Sequence, residues 1–440
     1  MAIMERPDFP KAAMGISGLN PWNLLFMNVV MACYFNYKKQ ARTVQLPGNI
    51  KFFVIFYLFF IVIAFFREIG DLQGVNNYME YMGYPHVSKK DVIVDDLFNT
   101  LKYAVPGLLF FYGVGQEKSK SIYLGLATIC AVSLLLALQV VKVMPIGALT
   151  DGYTLEQTGI RKIDRDIGYY RSDLAVLFAA GAWAIFSFKD MQKSKMLALA
   201  CMGSSFIIAL AMALTGGRIG MGAWFVVGSI LAYFRWRKLF LLGPLVVSLI
   251  LAFVPAVQER FLQGLASDED GYAQEEPDIS SATSGRIVIW PHVIDKIGES
   301  PWLGNGRRGH QRIGLALWLQ ENLNERFPHP HNAYLELLLD NGIILSTPIL
   351  LFFLLMFKYS FSLFRDKRNQ TYVIAGGMGV TFIIAHLVGF LGLQSFYPFT
   401  SSTSMWCAMG LVARIYVERS MVEGDNHAEV FSQTQPLLKT

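Results

Sequence analysis

Apolar residues in this chain come in long blocks rather than in alternation. Runs of about 17–22 residues, the length a helix needs to cross a hydrocarbon layer of ~30 Å, recur along most of it. Eleven stretches qualify as spans: 18–36, 52–66, 97–114, 121–141, 173–188, 196–214, 219–234, 239–256, 342–357, 372–393 and 401–417. Between the eighth and the ninth the pattern breaks, and residues 257–331 form a long polar segment. Its acidic run, Asp268-Glu269-Asp270 to Glu275-Glu276, is too poor in apolar residues to pack and predicts a mobile loop. From Ser284, an expected helix cap, Ile287, Trp290, Ile294 and Ile297 recur at helical spacing. Pro301-Trp302-Leu303-Gly304-Asn305-Gly306 reads as a turn. Residues 310–324 mix Ile313, Leu315, Leu317, Trp318 and Leu323 with polar neighbours, which predicts an amphipathic helix lying in a membrane interface. The pattern predicts an all-α polytopic membrane protein, a bundle of about 11–12 transmembrane helices with a structured external segment. Residues 1–256 hold the N-terminal helices, 257–331 the external segment, 332–417 the C-terminal helices, and 418–440 a polar tail expected to be weakly ordered.

Composition agrees and adds sidedness. Apolar residues make up 53% of the chain and charged ones 16%, against roughly 25% charged in a soluble protein. The net charge of +5 is no footprint of nucleic acid, because the basic residues sit beside apolar runs. They fall in alternate connections: Lys38/Lys39/Arg42/Lys51, Lys118/Lys120, Lys189/Lys193/Lys195, Arg235/Arg237/Lys238 and Lys358/Arg365/Lys367/Arg368. Short basic loops resist translocation and mark the cytoplasmic face. Residues 67–96, 143–172, the Gly216-Gly217 turn and 257–331 are then external, and the C-terminus is cytoplasmic. An odd span count places the N-terminus outside, and a twelfth span would reverse it. No cleavable leader is evident, so the first span is expected to stay attached. Cys33, Cys130, Cys201 and Cys407 all fall in spans, where thiols pack as small hydrophobes rather than forming disulfides or a zinc site.

The external face gathers the candidate chemistry. His331 follows Pro330 and precedes a strong helix-forming run, which predicts a place at or within a first helical turn. The positive end of the helix dipole disfavours an imidazolium there, so a neutral general base is one reading; a capping histidine at a membrane edge is the other. Arg218 follows two glycines at the junction of two spans, and Arg286 follows Gly285 ahead of an amphipathic helix. Each suits bidentate binding of phosphate, with headgroup snorkelling or ordinary surface exposure as the alternative. Arg161, Arg165 and Arg171, and Arg307 and Arg308, are weaker candidates for the same task. His329 and Asn332 support His331. Glu336 and Asp340 share a helical face, where pairing with basic groups is favoured over binding a cation. His386 is expected to hydrogen-bond a neighbouring helix, and Gly376-Gly377-x-Gly379 to mark close helix packing. No metal-ligand spacing stands out, and no cofactor or metal is expected.

In order and spacing, four motifs resemble the O-antigen ligase/polymerase superfamily of bacterial inner-membrane proteins. They are Gly-Gly-Arg218, Ser-Gly-Arg286-x3-Trp290, Pro301-Trp302-Leu303-Gly304-Asn305-Gly306, and His329-Pro330-His331-Asn332-Ala333-Tyr334-Leu335-Glu336 followed by Gly342. The motif-bearing part runs from about residue 210 to 345. The resemblance implies a helical bundle related to metal-independent glycosyltransferases of the GT-C type. It also implies transfer of O-antigen from undecaprenyl diphosphate to a sugar hydroxyl of lipid A–core at the periplasmic face, with inversion. His331 would activate the acceptor hydroxyl, and Arg218 and Arg286 would bind the lipid diphosphate. The polymerising branch and ligases that glycosylate proteins share these motifs and stay open. A lipid-linked glycan flippase is the rival of another class; it predicts ionisable residues deep in several helices, and this chain has few, with Lys102 and His386 the main examples.

Overall fold

The computed structural model describes residues 12–13, 16–17, 20–39, 44–115, 117–239, 255, 258–259, 286–324, 326–393 and 395–434. Apart from a short antiparallel pairing of Ala12–Ala13 with Ile16–Ser17, the elements in these residues are helices. The principal ones are α1 (Pro21–Lys38), α2 (Gly48–Gly70), α3 (Gln73–Tyr81), α4 (Phe98–Tyr112), α5 (Lys118–Val143), α6 (Gly152–Gly159), α7 (Arg171–Phe188), α8 (Lys195–Leu214) and α9 (Arg218–Phe234). The chain continues with α10 (Arg286–Glu299), α11 (Gly309–Arg312), α12 (Leu315–Leu323), α13 (Ala333–Arg365), α14 (Gln370–Gly389) and α15 (Thr403–Thr434). The protein is an all-α polytopic membrane protein. Among the described residues six helical stretches are long and apolar enough to cross a membrane: α2, α5, α7 with its extension to Met191, α8, α13 and α14.

Apolar side chains on all sides of a helix place it either at the centre of a bundle or against lipid, and both kinds occur. In α14 and α7, 78% and 72% of the apolar window is buried inside the protein; in α8 only 22% is, so its outer residues Met196, Leu199 and Phe206 face outward. Small residues let the central helices touch. A Cβ on Gly376 would lie 2.3 Å from the Phe364 nitrogen, and one on Gly379 would lie 2.4 Å from Ser360 Oγ, so the glycines of α14 are where α13 crosses it. Gly107 of α4 and Gly410 of α15 meet in the same way. Such close approach drives helix association in lipid, where hydrophobicity no longer discriminates.

Ten of the eleven expected spans fall on helices, and 239–256 lies outside the described residues, as do Ser284 and the acidic run. Three expectations are corrected. The helix expected at 342–357 begins at Ala333, because Asn332 caps it, and continues to Arg365 across a break at Gly342, whose φ is 62°. The 310–324 helix is two, α11 and α12, since Gly314 turns the chain at φ 74°. The polar stretch after Glu418 continues α15 as far as Thr434, the Arg414–Glu418 pair (2.7 Å) supporting the turn where the polar sequence begins.

The break in α13 explains the turn motif. Interrupting a helix strands backbone donors and acceptors, which must find partners. The 300–306 turn supplies them: Asn305 and Gly306 amides donate to the Leu339 and Asp340 carbonyls (2.7 and 2.6 Å), and the Ile343 and Ile344 amides donate to Pro301 and Trp302 (2.8 and 3.2 Å). Gly304 and Gly342 are obligatory, because a Cβ on either would lie about 2.3–2.5 Å from backbone of the other strand, and both have positive φ. Arg67 of α2 seals the turn, donating to the Leu303 and Gly304 carbonyls at 2.6 and 2.7 Å.

Candidate functional site

Three chain segments far apart in sequence meet at the polar end of the bundle. The first is the start of α9. Thr215 is buried, its hydroxyl accepts from the Gly217 amide at 3.2 Å, and Gly216 turns with φ 64°. Gly217 and Gly220 press against Ala175 of α7, where a Cβ would sit 2.8 and 2.4 Å from it. Arg218 is thus delivered by a turn that tolerates no side chain. The second is the start of α10, where Arg286 Nη2 donates to the Gly392 carbonyl at 3.5 Å in the connection between α14 and α15. Gly392 lies between this guanidinium and Ile219, so Arg286 is seated directly beside the Arg218 turn. Burial, and secondarily the Arg218 charge, lower the Arg286 pKa from its ordinary value.

The third segment carries His331. It stands one residue before the Asn332 cap, not within the first turn of α13 as expected. Asn332 Oδ1 accepts from the Tyr334 and Leu335 amides (3.0 and 3.2 Å), which leaves His331 in the left-handed region at φ 50°. Non-glycine residues adopt this region at a cost and only where the surroundings impose it. His329 stacks on it with ring centroids 3.9 Å apart, and His329 Nδ1 accepts from the His331 amide at 3.3 Å. That bond requires Nδ1 of His329 to be unprotonated. Burial, and then the neighbouring Arg286 charge, lower the His331 pKa to about 4. Enclosure and a guanidinium, rather than a helix dipole, are what disfavour charge on this ring. Burial followed by His331, His310, Arg307 and Arg286 takes His329 down to about 2.

The structure thus gathers His331, Arg286 and Arg218, with His329 and Asn332 beside them, and leaves the remaining arginines elsewhere. Arg161 and Arg165 are exposed on the helical turn at 160–167, Arg165 against Asp166 at 3.1 Å. Arg171 pairs with Glu156. Arg307 is buried against Glu336 (2.8 Å) and Asp340 (3.9 Å), and Arg308 pairs with Glu68 (3.2 Å) and Asp96 (2.6 Å). The two carboxylates of α13 therefore serve an ion-pair network. Burial alone would lower the Arg307 pKa, but Glu336, Tyr397, Asp340 and Glu68 outweigh it and hold that guanidinium above its ordinary range. His386 Nδ1 bonds the Phe382 carbonyl of its own helix at 2.8 Å, and the ring also bonds the Ser401 backbone just ahead of α15. No cluster of three metal-ligating side chains occurs among the described residues.

Sequence reasoning missed the residues that hold the His331 loop. His310 Nε2 lies 3.0 Å from the Phe327 carbonyl, Gln311 Nε2 donates to Pro328 (3.2 Å), Trp290 Nε1 donates to Pro330 (3.1 Å), and the Ala333 amide donates to Phe390 (2.8 Å). Their partners are main-chain carbonyls, which leave no mark in side-chain spacing. Trp290 alone carried a signal, as an apolar position of α10.

Two guanidiniums can bind a diphosphate and stabilise charge growing on it as it leaves, while a neutral imidazole beside them can take a proton from an attacking hydroxyl. With His331 as that base, transfer is expected to stay level from about pH 8 to about pH 6 and to fall only as pH approaches about 4, since protonation removes the base. An ordinary exposed histidine would bring the fall near about pH 6.5. A pH profile of initial transfer rate separates the two.

Residues 203–350, which contain all three segments, match the family model described as O-antigen ligase. No curated protein matches the chain. The family match places this segment in the O-antigen ligase superfamily, and with it the general chemistry of O-antigen ligation or polymerisation by a glycosyltransferase-like membrane enzyme acting on lipid-linked glycan.

Proposed function

With residues 203–350 an O-antigen ligase family domain, we propose that the protein transfers O-antigen from undecaprenyl diphosphate to a sugar hydroxyl of lipid A–core. In this reading it is a multi-pass protein of the bacterial inner membrane whose site faces the periplasm. Arg218 and Arg286 clamp the donor diphosphate. His331 removes the acceptor proton as the oxygen attacks the anomeric carbon from the face opposite the diphosphate, so the configuration inverts. The proton leaves on His331 Nε2 or Nδ1, and the electron pair of the broken C–O bond leaves on undecaprenyl diphosphate, whose charge the two arginines hold. No metal is needed in this scheme, because the guanidiniums supply the positive charge.

The observation that carries the reading is the meeting of Arg218, Arg286 and a half-buried His331 at one end of the bundle. A flippase would instead place ionisable groups along a path through the helices. Here the acidic residues of α13, Glu336 and Asp340, lie before the Gly342 break and are taken up by Arg307. A strain deleted for this chain is expected to make core lipopolysaccharide without O-chains while lipid-linked polymer accumulates, as read on a lipopolysaccharide gel. Core bearing one repeat would indicate the polymerase, and normal lipopolysaccharide with altered glycoprotein would indicate a protein-directed ligase. Loss of all lipid-linked glycan from the outer face would indicate the flippase.

A further inference from the structure

His331 occupies a backbone conformation that its own residue type disfavours, so something outside the loop must impose it. Asn332 imposes the downstream side by capping α13. Upstream, residues 327–330 contain two prolines and lack regular secondary structure of their own. A loop of this kind keeps one shape only if its carbonyls are held. They are held by side chains from two separate helices: Trp290 of α10 reaches the Pro330 carbonyl at 3.1 Å, and Gln311 of α11 reaches the Pro328 carbonyl at 3.2 Å.

The Pro330 carbonyl belongs to the peptide whose nitrogen is that of His331. Fixing this oxygen fixes the plane of that peptide, and with it the direction from which the His331 side chain departs. Trp290 is also four residues after Arg286, one helical turn along the same face of α10. One rigid helix therefore carries both the guanidinium proposed for the diphosphate and the indole that fixes the histidine peptide.

We propose that Trp290 and Gln311 are positioning residues for His331, and that α10 sets the distance between donor diphosphate and base through Arg286 and Trp290. The inference rests on the reading of His331 as the general base. Removing either clamp lets the loop relax toward an ordinary conformation and moves the imidazole off line. Misplacement by about 1 Å is enough to cost about 100-fold in rate. It also admits water around a ring now enclosed by Phe327 and His329. The charged and titratable groups that face His331 are Arg286 on α10, His329 on its own loop and His310 on α11. None of them changes in these variants.

The test uses the purified full-length protein in lipid nanodiscs, with lipid-linked glycan extracted from the deletion strain as donor and that strain's core lipopolysaccharide as acceptor. Trp290→Phe keeps an aromatic ring and loses the N–H; Gln311→Ala loses the second clamp from another helix. Each is expected to lower kcat by about tenfold or more while the donor KM stays within about twofold. The acid limb of the kcat profile should move upward in pH as the imidazole becomes hydrated. Unchanged kcat in both variants, a loss carried by KM, or a reduced kcat with the acid limb unmoved overturns the proposal. Should Trp290→Phe not insert stably, Gln311→Ala is read by the same criteria. His331→Ala, run in parallel, separates the two levels. Transfer retained by that variant removes the base itself, whereas its inactivity beside normal clamp variants removes only the positioning role.

Discussion

His331→Ala is expected to lower glycan transfer by about 10²–10⁴-fold, the usual worth of a positioned general base, while the protein remains inserted and folded. The size of the effect follows from the enclosure. Among the described groups that face His331, Arg286 is a cation, His329 spends Nδ1 on the His331 amide, and His310 sits against the Phe327 carbonyl. His329 is moreover driven too low by burial and its charged neighbours to act as a useful base. Stability should hardly follow, because His331 is half-exposed and caps nothing; the cap is Asn332. Transfer measured in membranes containing equal amounts of each protein checks the prediction, and activity within about threefold of the parent would remove the base role.

Arg286→Ala is expected to reduce transfer by about 10²–10³-fold, comparable to removing one fixed donor from a site of developing charge. Arg286→Lys should recover only part of it. Lysine restores charge but not the planar fork, and its ammonium is the more strongly hydrated cation in a place that enclosure already makes costly for charge. Arg218→Ala and Arg218→Lys should follow the same order. The physical ground is the arrangement of like charges. Two half-buried guanidiniums placed side by side repel one another, and burial first, then the Arg218 charge, lower the Arg286 pKa. Alanine and lysine variants of equal activity would argue against diphosphate binding at this pair.

The structural arginines give the contrast. Arg307 and Arg308 stand among the same motifs, yet each is matched with carboxylates, the buried Glu336 and Asp340 for one and the buried Glu68 with the half-buried Asp96 for the other. Breaking such a pair leaves an uncompensated buried charge, typically about 3–5 kcal/mol. Their work is to tie α2, the 300–312 segment and α13 into one frame on which the His331 loop is built. Sequence spacing ranked them with Arg161 and Arg165 because a basic residue in a string looks the same whether its partner is solvent, phosphate or a carboxylate 240 residues away, as Glu68 is from Arg308.

What the sequence by itself determined is whatever depends on near neighbours along the chain. Apolar runs long enough to cross a bilayer dictate helices, since backbone polar groups have no other partners there, and the spans at 52–66, 121–141, 196–214 and 372–393 appear as α2, α5, α8 and α14. Gly216-Gly217, Gly304 and Gly342 were legible as special backbone, because only glycine tolerates what those positions require. Only the tertiary structure decided which ionisable groups share a site. It brought α9, α10 and the start of α13 together over the 390–393 connection, paired Arg307 away from Arg218 and Arg286, and set Trp290 and Gln311 against backbone carbonyls that carry no residue identity. It also set the enclosure and the Arg286 charge that lower the His331 pKa. Desolvation and coulombic coupling act through space, and the residues responsible lie tens to hundreds of positions apart, where no periodicity along the chain records them.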